Sequence, residues 1–211
     1  MRASAVYTGI IVPSFVVLPI VAALFKIKKW EAPQKLSFFY LVLSGVFNII
    51  AKVTAVQKIN NLPFLHLYTI LEFVLLCALF KSIFIERGLK KFLTFIMIAF
   101  PLIGLGYIFY SNALLSYNPL PRFLEGLILM LLCIYFLMQD LNRLEHNHSM
   151  FSFTIVVGLL LYFSSSLILF ALPELIRENK DMNRLIWSIH ATFVLMMYLS
   201  FMVAYIKLKK E

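Results

Sequence analysis

Ionisable side chains lie inside several long apolar stretches of this sequence, where they need either a partner or a function. Glu72 follows Tyr68 at a spacing of four residues, and Glu125 follows Arg122 at a spacing of three. Residues three or four apart lie on one face of a helix, so the members of each pair can act together. Because an ionisable group costs about 2.5–3.5 kcal/mol at the centre of a membrane helix, these pairs are the first candidates for a functional site.

Polar residues recur at helical spacing in three further apolar stretches. Asn48 and Lys52 are four residues apart, Trp187 and His190 are three apart, and Ser165 lies in the middle of a run of three serines. Polar side chains within an apolar helix are expected to face other helices or a cavity rather than lipid. The predicted set of ligand-binding or cavity-lining residues is Asn48, Lys52, His66, Tyr68, Glu72, Arg122, Glu125, Ser165, Trp187 and His190.

One possible function of these residues is to bind a metal ion. Histidine and carboxylate side chains are zinc or iron ligands by residue type. The candidates are His66, Glu72, Glu125 and His190, and their spacing matches no recognised metal motif. The metal and any other cofactor therefore stay unknown at this point.

Two other interpretations compete with the metal site. A serine such as Ser165 near a histidine and an acid suggests a hydrolase, although serines in membrane helices more often hydrogen-bond to the backbone or to a neighbouring helix. A purely structural alternative is that Lys52 and Arg122 neutralise Glu72 and Glu125 as buried ion pairs that fix helix packing. Catalytic residues stay unknown.

Composition predicts that the apolar stretches are membrane spans. Of the 211 residues, 62% are hydrophobic and 14% are charged, and the mean hydropathy is +0.92. A soluble domain of this size has too little interior to bury so much apolar surface. A spanning helix needs about 20 mostly apolar residues, and seven stretches qualify: 5–25, 37–57, 65–84, 92–110, 121–138, 151–172 and 185–206. The predicted fold is an all-α, integral membrane bundle of seven transmembrane helices, forming a single domain over residues 1–211.

The distribution of positive charge predicts the orientation, because Lys and Arg favour the cytoplasmic side. With the N-terminus outside and the C-terminus in the cytoplasm, twelve of the 19 cationic residues face the cytoplasm. The short basic runs are typical of contact with anionic lipid headgroups, and we expect no nucleic-acid partner. The twelve are Lys26, Lys28, Lys29, Lys35, Lys81, Arg87, Lys90, Lys91, Arg143, Lys207, Lys209 and Lys210.

In this topology the candidate residues all fall between the middle of the membrane and its outer surface. In the inner half the expected charge is Lys81, which lies close to the boundary, and Asp140 and Asp181 are expected in loops. The sequence therefore predicts a polar cavity open to the outside above a dry inner half.

Proline and glycine predict local irregularities in two spans. Pro13 and Pro101 lie within the first and fourth spans and should kink them. Gly104 and Gly106, just after Pro101, should let a neighbouring helix approach closely.

The sequence resembles a group of small seven-helix bacterial inner-membrane proteins in three stretches: NNLPFLHLYTILEF at 60–73, LPRFLEG at 120–126 and LIWSIHA at 185–191. The resemblance covers nearly the whole chain and implies a multi-pass protein of the bacterial cytoplasmic membrane. That group has no established activity, so the resemblance implies no catalytic residue. The three stretches contain His66, Glu72, Arg122, Glu125 and His190.

The leading functional interpretation is a receptor-like protein or accessory subunit that binds a small or lipidic ligand in the outward-facing cavity. Its partners would be the lipid bilayer and another membrane protein or signalling partner, which would sense helix movement. One alternative is a membrane-embedded, metal-dependent enzyme acting on lipid headgroups. A second alternative is a transporter or proton-coupled carrier that uses Glu72 and His190.

The predicted topology is tested by reporter fusions. Alkaline phosphatase fused after Glu211 should be inactive, because it folds only outside the cytoplasm, whereas a green fluorescent protein fused at the same point should fluoresce. An active phosphatase at this position would mean that the number of spans or their orientation is wrong.

Overall fold

The structure is a computed structural model that describes residues 3–110, 113–115, 119–142, 149–171 and 180–208. Within these ranges, seven helices are long and apolar enough to span a membrane. This agrees with the predicted all-α, seven-span fold and is compatible with a multi-pass membrane protein. The helices are α1 (Ala3–Leu24), α2 (Ala32–Gln57), α3 (Leu62–Ile83), α4 (Arg87–Tyr110), α5 (Leu120–Asn142), α6 (Met150–Ala171) and α7 (Lys180–Lys207).

The apolar surface of α2 shows why such a helix needs lipid. Phe39, Val46, Ile49, Val53 and Val56 are all exposed, and their spacing of three, four or seven residues places them in one stripe along the helix. A continuous apolar stripe of this length is unfavourable in water and typical of a face that contacts lipid.

Helix α1 is irregular where proline removes a backbone donor. A π-helical turn at Tyr7–Ile11 precedes Pro13, and the Val12 amide donates to the Tyr7 carbonyl, five residues back. The helix is interrupted again before a regular segment begins at Val17. The irregularity expected at Pro13 is therefore confirmed, whereas α4 continues from Arg87 to Tyr110 without a break at Pro101.

The chain divides into two compact units, and each is described by itself. One comprises Glu31–Glu125, which contains α2, α3, α4 and the first residues of α5. The other comprises Met1–Trp30 together with Gly126–Glu211. The expectation of a single domain stays a prediction.

In the Glu31–Glu125 unit, α3 packs against both α2 and α4. Helix α2 ends at Gln57, and the backbone of the next residue, Lys58, is left-handed with φ 56°. The Asn60 side chain then accepts a hydrogen bond from the Leu62 amide at 3.0 Å, which forms a local turn just before α3. Phe73 on α3 stacks on Phe100 of α4 with ring centres 4.0 Å apart. This packing holds α3 between its neighbours.

In the other unit, α1 and α7 run parallel, because two contacts between them follow the same order along both helices. The hydroxyl of Tyr7, in the second turn of α1, lies 2.9 Å from the hydroxyl of Thr192, near the middle of α7. Beyond their ends, the Lys26 ammonium donates to the Leu208 carbonyl at 3.0 Å. A parallel first and seventh helix is the arrangement that seven alternating spans require.

Helices α6 and α7 make their closest approach at Gly158, not at the glycines that the sequence suggested. A Cβ atom on Gly158 would lie 2.8 Å from the Ser200 Cβ and 3.4 Å from the Met197 Cα. Among described residues, a Cβ on Gly106 would meet nothing within 4 Å, and one on Gly104 would only touch the Ile70 side chain at 4.0 Å. The expectation of a close approach at Gly104 and Gly106 is therefore wrong.

We expect Gly158→Ala to lower the free energy of unfolding in detergent by about 1–3 kcal/mol, since a close-packed contact tolerates no added methyl group. Gly106→Ala is the matched control and should be neutral or slightly stabilising. Adding Ser200→Gly to Gly158→Ala should restore stability by removing the clashing Cβ. Equal thermal stability of the two alanine variants would contradict the contact.

Candidate functional site

The candidate site in the Glu31–Glu125 unit is built from three helices. Prolines lie in the first turns of α3 and α5, where a missing backbone donor costs nothing. Arg122 and Glu125 therefore begin a regular helix, and their spacing directs both side chains to one face. On α3, Tyr68 and Glu72 likewise share a face, and both contact Arg122.

Glu72 is fully buried and all of its carboxylate oxygens are engaged. Its Oε1 atom accepts hydrogen bonds from the Tyr40 hydroxyl at 3.1 Å and the Tyr68 hydroxyl at 3.0 Å. Its Oε2 atom forms an ion pair with Nη1 of Arg122. Three donors from two other helices and from its own helix therefore converge on this one carboxyl group.

Arg122 is shared between two carboxyl groups. Its Nη1 atom also donates to Oε2 of Glu125 at 2.6 Å. The guanidinium carbon lies 5.1 Å from the centre of the Tyr68 ring, within the range of a cation–π contact. The arginine side chain is 9% exposed, and both carboxyl side chains are 0% exposed.

The two carboxyl groups are not equivalent. No described residue donates a hydrogen bond to the Glu125 Oε1 atom, which is buried. Glu125 therefore has one engaged oxygen, whereas Glu72 has two. With both glutamates ionised, Glu72, Glu125 and Arg122 would together carry one net negative charge away from water. Such an imbalance is unfavourable unless a proton or another cation neutralises it.

Tyr40 was missed by sequence reasoning although a signal for it was present. Asn48 and Lys52 form a polar line on α2, and Ser44 and Tyr40 continue this line toward the start of the helix by the same four-residue step. Tyr40 and Ser44 are buried, Asn48 is half-buried and Lys52 is exposed. Lys52 lies at the exposed end of the line, and Glu72 pairs with Arg122 instead. The expectation that Lys52 neutralises Glu72 is therefore wrong.

His66 lies on α3 and is 7% exposed, so it is buried as expected for a residue of the predicted set. No group of three or more histidine, cysteine, aspartate or glutamate side chains in the described ranges is arranged to hold a metal ion. The candidate ligands Glu72 and Glu125 are close to each other, but the group between them is the Arg122 guanidinium. A cation already occupies the position that a metal would take.

The second group of predicted residues lies in the other unit. Nδ1 of His190 and Oγ of Ser165 are 3.0 Å apart, and Trp187 packs edge-on against the imidazole with ring centres 6.0 Å apart. Ser165 also donates its hydroxyl proton to the Tyr162 carbonyl at 2.8 Å. Since a hydroxyl has one proton, a Ser165 hydroxyl that donates to this carbonyl accepts its other hydrogen bond from the Nδ1–H tautomer of His190. That polarity is the reverse of what a nucleophilic serine requires.

Sequence analysis predicts that Glu72 and His190 line one common cavity. These two residues belong to different compact units, so the common cavity stays a prediction. Within each unit, the structure brings Tyr68, Glu72, Arg122 and Glu125 together, and separately Ser165, Trp187 and His190.

Buried polar residues also lie near two helix ends, and the dry inner half stays a prediction. Gln34 and Ser37 near the start of α2 and Asp140 in the last turn of α5 are all buried polar residues. Asp181 also belongs to a helix, since it lies in the first turn of α7. The two aspartates are therefore not in loops. Asp140 was misplaced because α5 continues beyond the apolar window used to define its end.

Comparison of the chain with protein-family models, curated proteins and solved structures found no match. The resemblance to the seven-helix group stays a prediction.

Removing the shared arginine should be the most damaging single change in this site. Arg122→Ala leaves two buried carboxyl groups without their cation, at a cost of about 3–5 kcal/mol in the free energy of unfolding. Adding Glu125→Gln should recover part of this loss, and adding Glu72→Gln as well should recover more. Thermal unfolding in detergent measures the series.

Arg184→Ala is the matched control, because the Arg184–Asp181 pair is exposed to solvent and exposed pairs contribute about 0–1 kcal/mol. If Arg122→Ala were no more destabilising than Arg184→Ala, the buried cluster would not support the fold.

Proposed function

We propose that this chain is a proton-coupled carrier in which Glu125 is the proton-binding group. The observation that supports this most strongly is the pairing of two fully buried carboxyl groups with one guanidinium. Carboxyl groups within membrane helices are commonly proton relays in pumps and transporters. The proposal takes up one of the alternatives left open by the sequence, with Glu125 and Arg122 in the central roles.

A proton is the ligand that best suits this geometry. The cluster needs one positive charge for neutrality, and both carboxyl side chains are completely buried. A metal ion or an organic cation needs several ligands or a cavity of its own, whereas a proton needs a single oxygen lone pair. The Glu125 Oε1 atom, which has no hydrogen-bond donor among the described residues, supplies that lone pair.

Protonation would change how strongly Arg122 holds each partner. When Glu125 is neutral, the guanidinium charge is satisfied mainly by Glu72. When Glu125 is ionised, the two carboxylates compete for the same Nη1 atom. The strength of the tie between α3 and the first turns of α5 would therefore depend on the proton. A carrier couples proton binding to helix movement by such a dependence.

The proposal places the chain in the bacterial cytoplasmic membrane with its N-terminus outside. The charge bias supports this orientation. Arg122 and Glu125 then lie in the first two turns of an inward-running helix, close to the outer surface. Protons would enter from the side of higher proton concentration in a respiring bacterium.

The other interpretations stay hypotheses. A receptor-like or accessory role with a signalling partner would rest on an outward-facing cavity at the predicted residues, and the buried Glu72 cluster is filled by protein side chains. A lipid-headgroup enzyme would need a metal site or an activated serine, and the proton arrangement at Ser165 does not favour the latter. For these reasons the carrier is preferred.

The proposal is tested by the charge that moves when a proton enters the buried site. Proteoliposomes adsorbed on a solid-supported membrane are exposed to a rapid pH jump, and the current is recorded. We expect a transient current from the wild-type protein that is lost in Glu125→Gln. Glu31→Gln removes an exposed carboxyl group and should leave the current unchanged. Equal currents in all three proteins would refute a proton-binding role for Glu125.

A further inference from the structure

A pocket of about 240 Å³ lies between the beginnings of α1 and α7 and is separate from the carboxyl cluster. Its polar lining comes from Ser4 and Thr8 on α1 and from Asn183, Arg184, Trp187 and Ser188 on α7. Both helices belong to the same compact unit. None of these residues has a role in the proposed proton site.

Among the described lining residues Arg184 carries the charge, and it is paired with Asp181, which lies beside the pocket. Arg184 is held in place from its own helix. Its Nη2 atom pairs with Asp181, and its Nε atom donates to the Lys180 carbonyl at 3.2 Å. No described residue accepts a hydrogen bond from its Nη1 atom. A guanidinium oriented in this way can offer Nη1 to an anion.

Neighbouring groups extend the donor character of the pocket. The Thr8 and Ser188 hydroxyls donate to carbonyls of their own helices, at 2.9 and 2.7 Å. The Trp187 indole and the Asn183 amide, by contrast, make no hydrogen bond to other described residues. They therefore remain available as donors beside the guanidinium. Trp187 is also 44% exposed, so its ring offers an apolar face to the organic part of a ligand.

The position of the pocket indicates the class of anion. It lies in the first two turns of two spanning helices, which is the depth of lipid headgroups, and tryptophan is common at that depth. From this combination we infer that the pocket binds a phosphate ester, with Arg184 contacting the phosphate and Trp187 the adjoining organic group. The phosphate can belong to a lipid headgroup or to a soluble phosphate ester.

Fluorescence of Trp187 provides the test. The full chain carries two tryptophans, Trp30 and Trp187, so Trp30→Phe leaves one reporter in the pocket. The protein is purified in a maltoside detergent, which has no phosphate, and titrated separately with short-chain phosphatidylglycerol and with glycerol 3-phosphate. A saturable change with phosphatidylglycerol alone identifies a lipid headgroup as the source, and a change with glycerol 3-phosphate identifies a soluble ester. Either result supports the pocket.

Arginine dependence decides whether the signal comes from this pocket. Arg184→Gln should weaken the apparent affinity about tenfold, as expected for the loss of a charge-assisted hydrogen bond. Arg87→Gln is the matched control, since Arg87 is an exposed arginine at the start of α4, and it should leave the affinity unchanged. Thermal unfolding of both variants checks that they fold. The proposal is overturned if neither compound gives a saturable change, or if the two arginine variants bind equally.

Discussion

The sharing of one guanidinium by two buried carboxyl groups is the constraint on which the Glu31–Glu125 unit depends. Arg122 contacts Glu72 from α3 and Glu125 from its own helix, and Tyr40 of α2 joins the same cluster through Glu72. Each charge has left water, so each requires the others to be in place. The cluster thus ties α2, α3 and the first turns of α5 together.

The same imbalance that makes the cluster costly also makes it responsive. A fully matched ion pair would be a packing device with no reason to exchange protons. Here the donors are unequally distributed, with three on Glu72 and one on Glu125. In the proposed carrier, a single proton on the less-bonded carboxyl group would switch the whole cluster between a balanced and an unbalanced state.

The positions of the helices and the residue pairs within one helix could be predicted from the sequence. Which face of each helix is buried could not, because it depends on how the helix packs against its neighbours. Length and hydropathy located the seven spans, and four-residue spacing paired Tyr68 with Glu72. Which face of α2 is buried depends on tertiary packing, however, because both of its faces are largely apolar. Rotation decides that Tyr40 is buried against Glu72 while Lys52, three turns along the same line, is exposed. The same limit explains why Gly158 rather than Gly104 is the site of close packing.

The central claim is that the buried carboxyl pair takes up a single proton at Glu125. The most direct measurement is the infrared difference spectrum between acidic and alkaline pH, in the region where protonated carboxyl groups absorb. The account predicts a carboxylic acid band in the wild-type protein that disappears in Glu125→Gln and persists in Glu31→Gln. A spectrum unchanged by Glu125→Gln would contradict it, and the cluster would then be a structural ion-pair network.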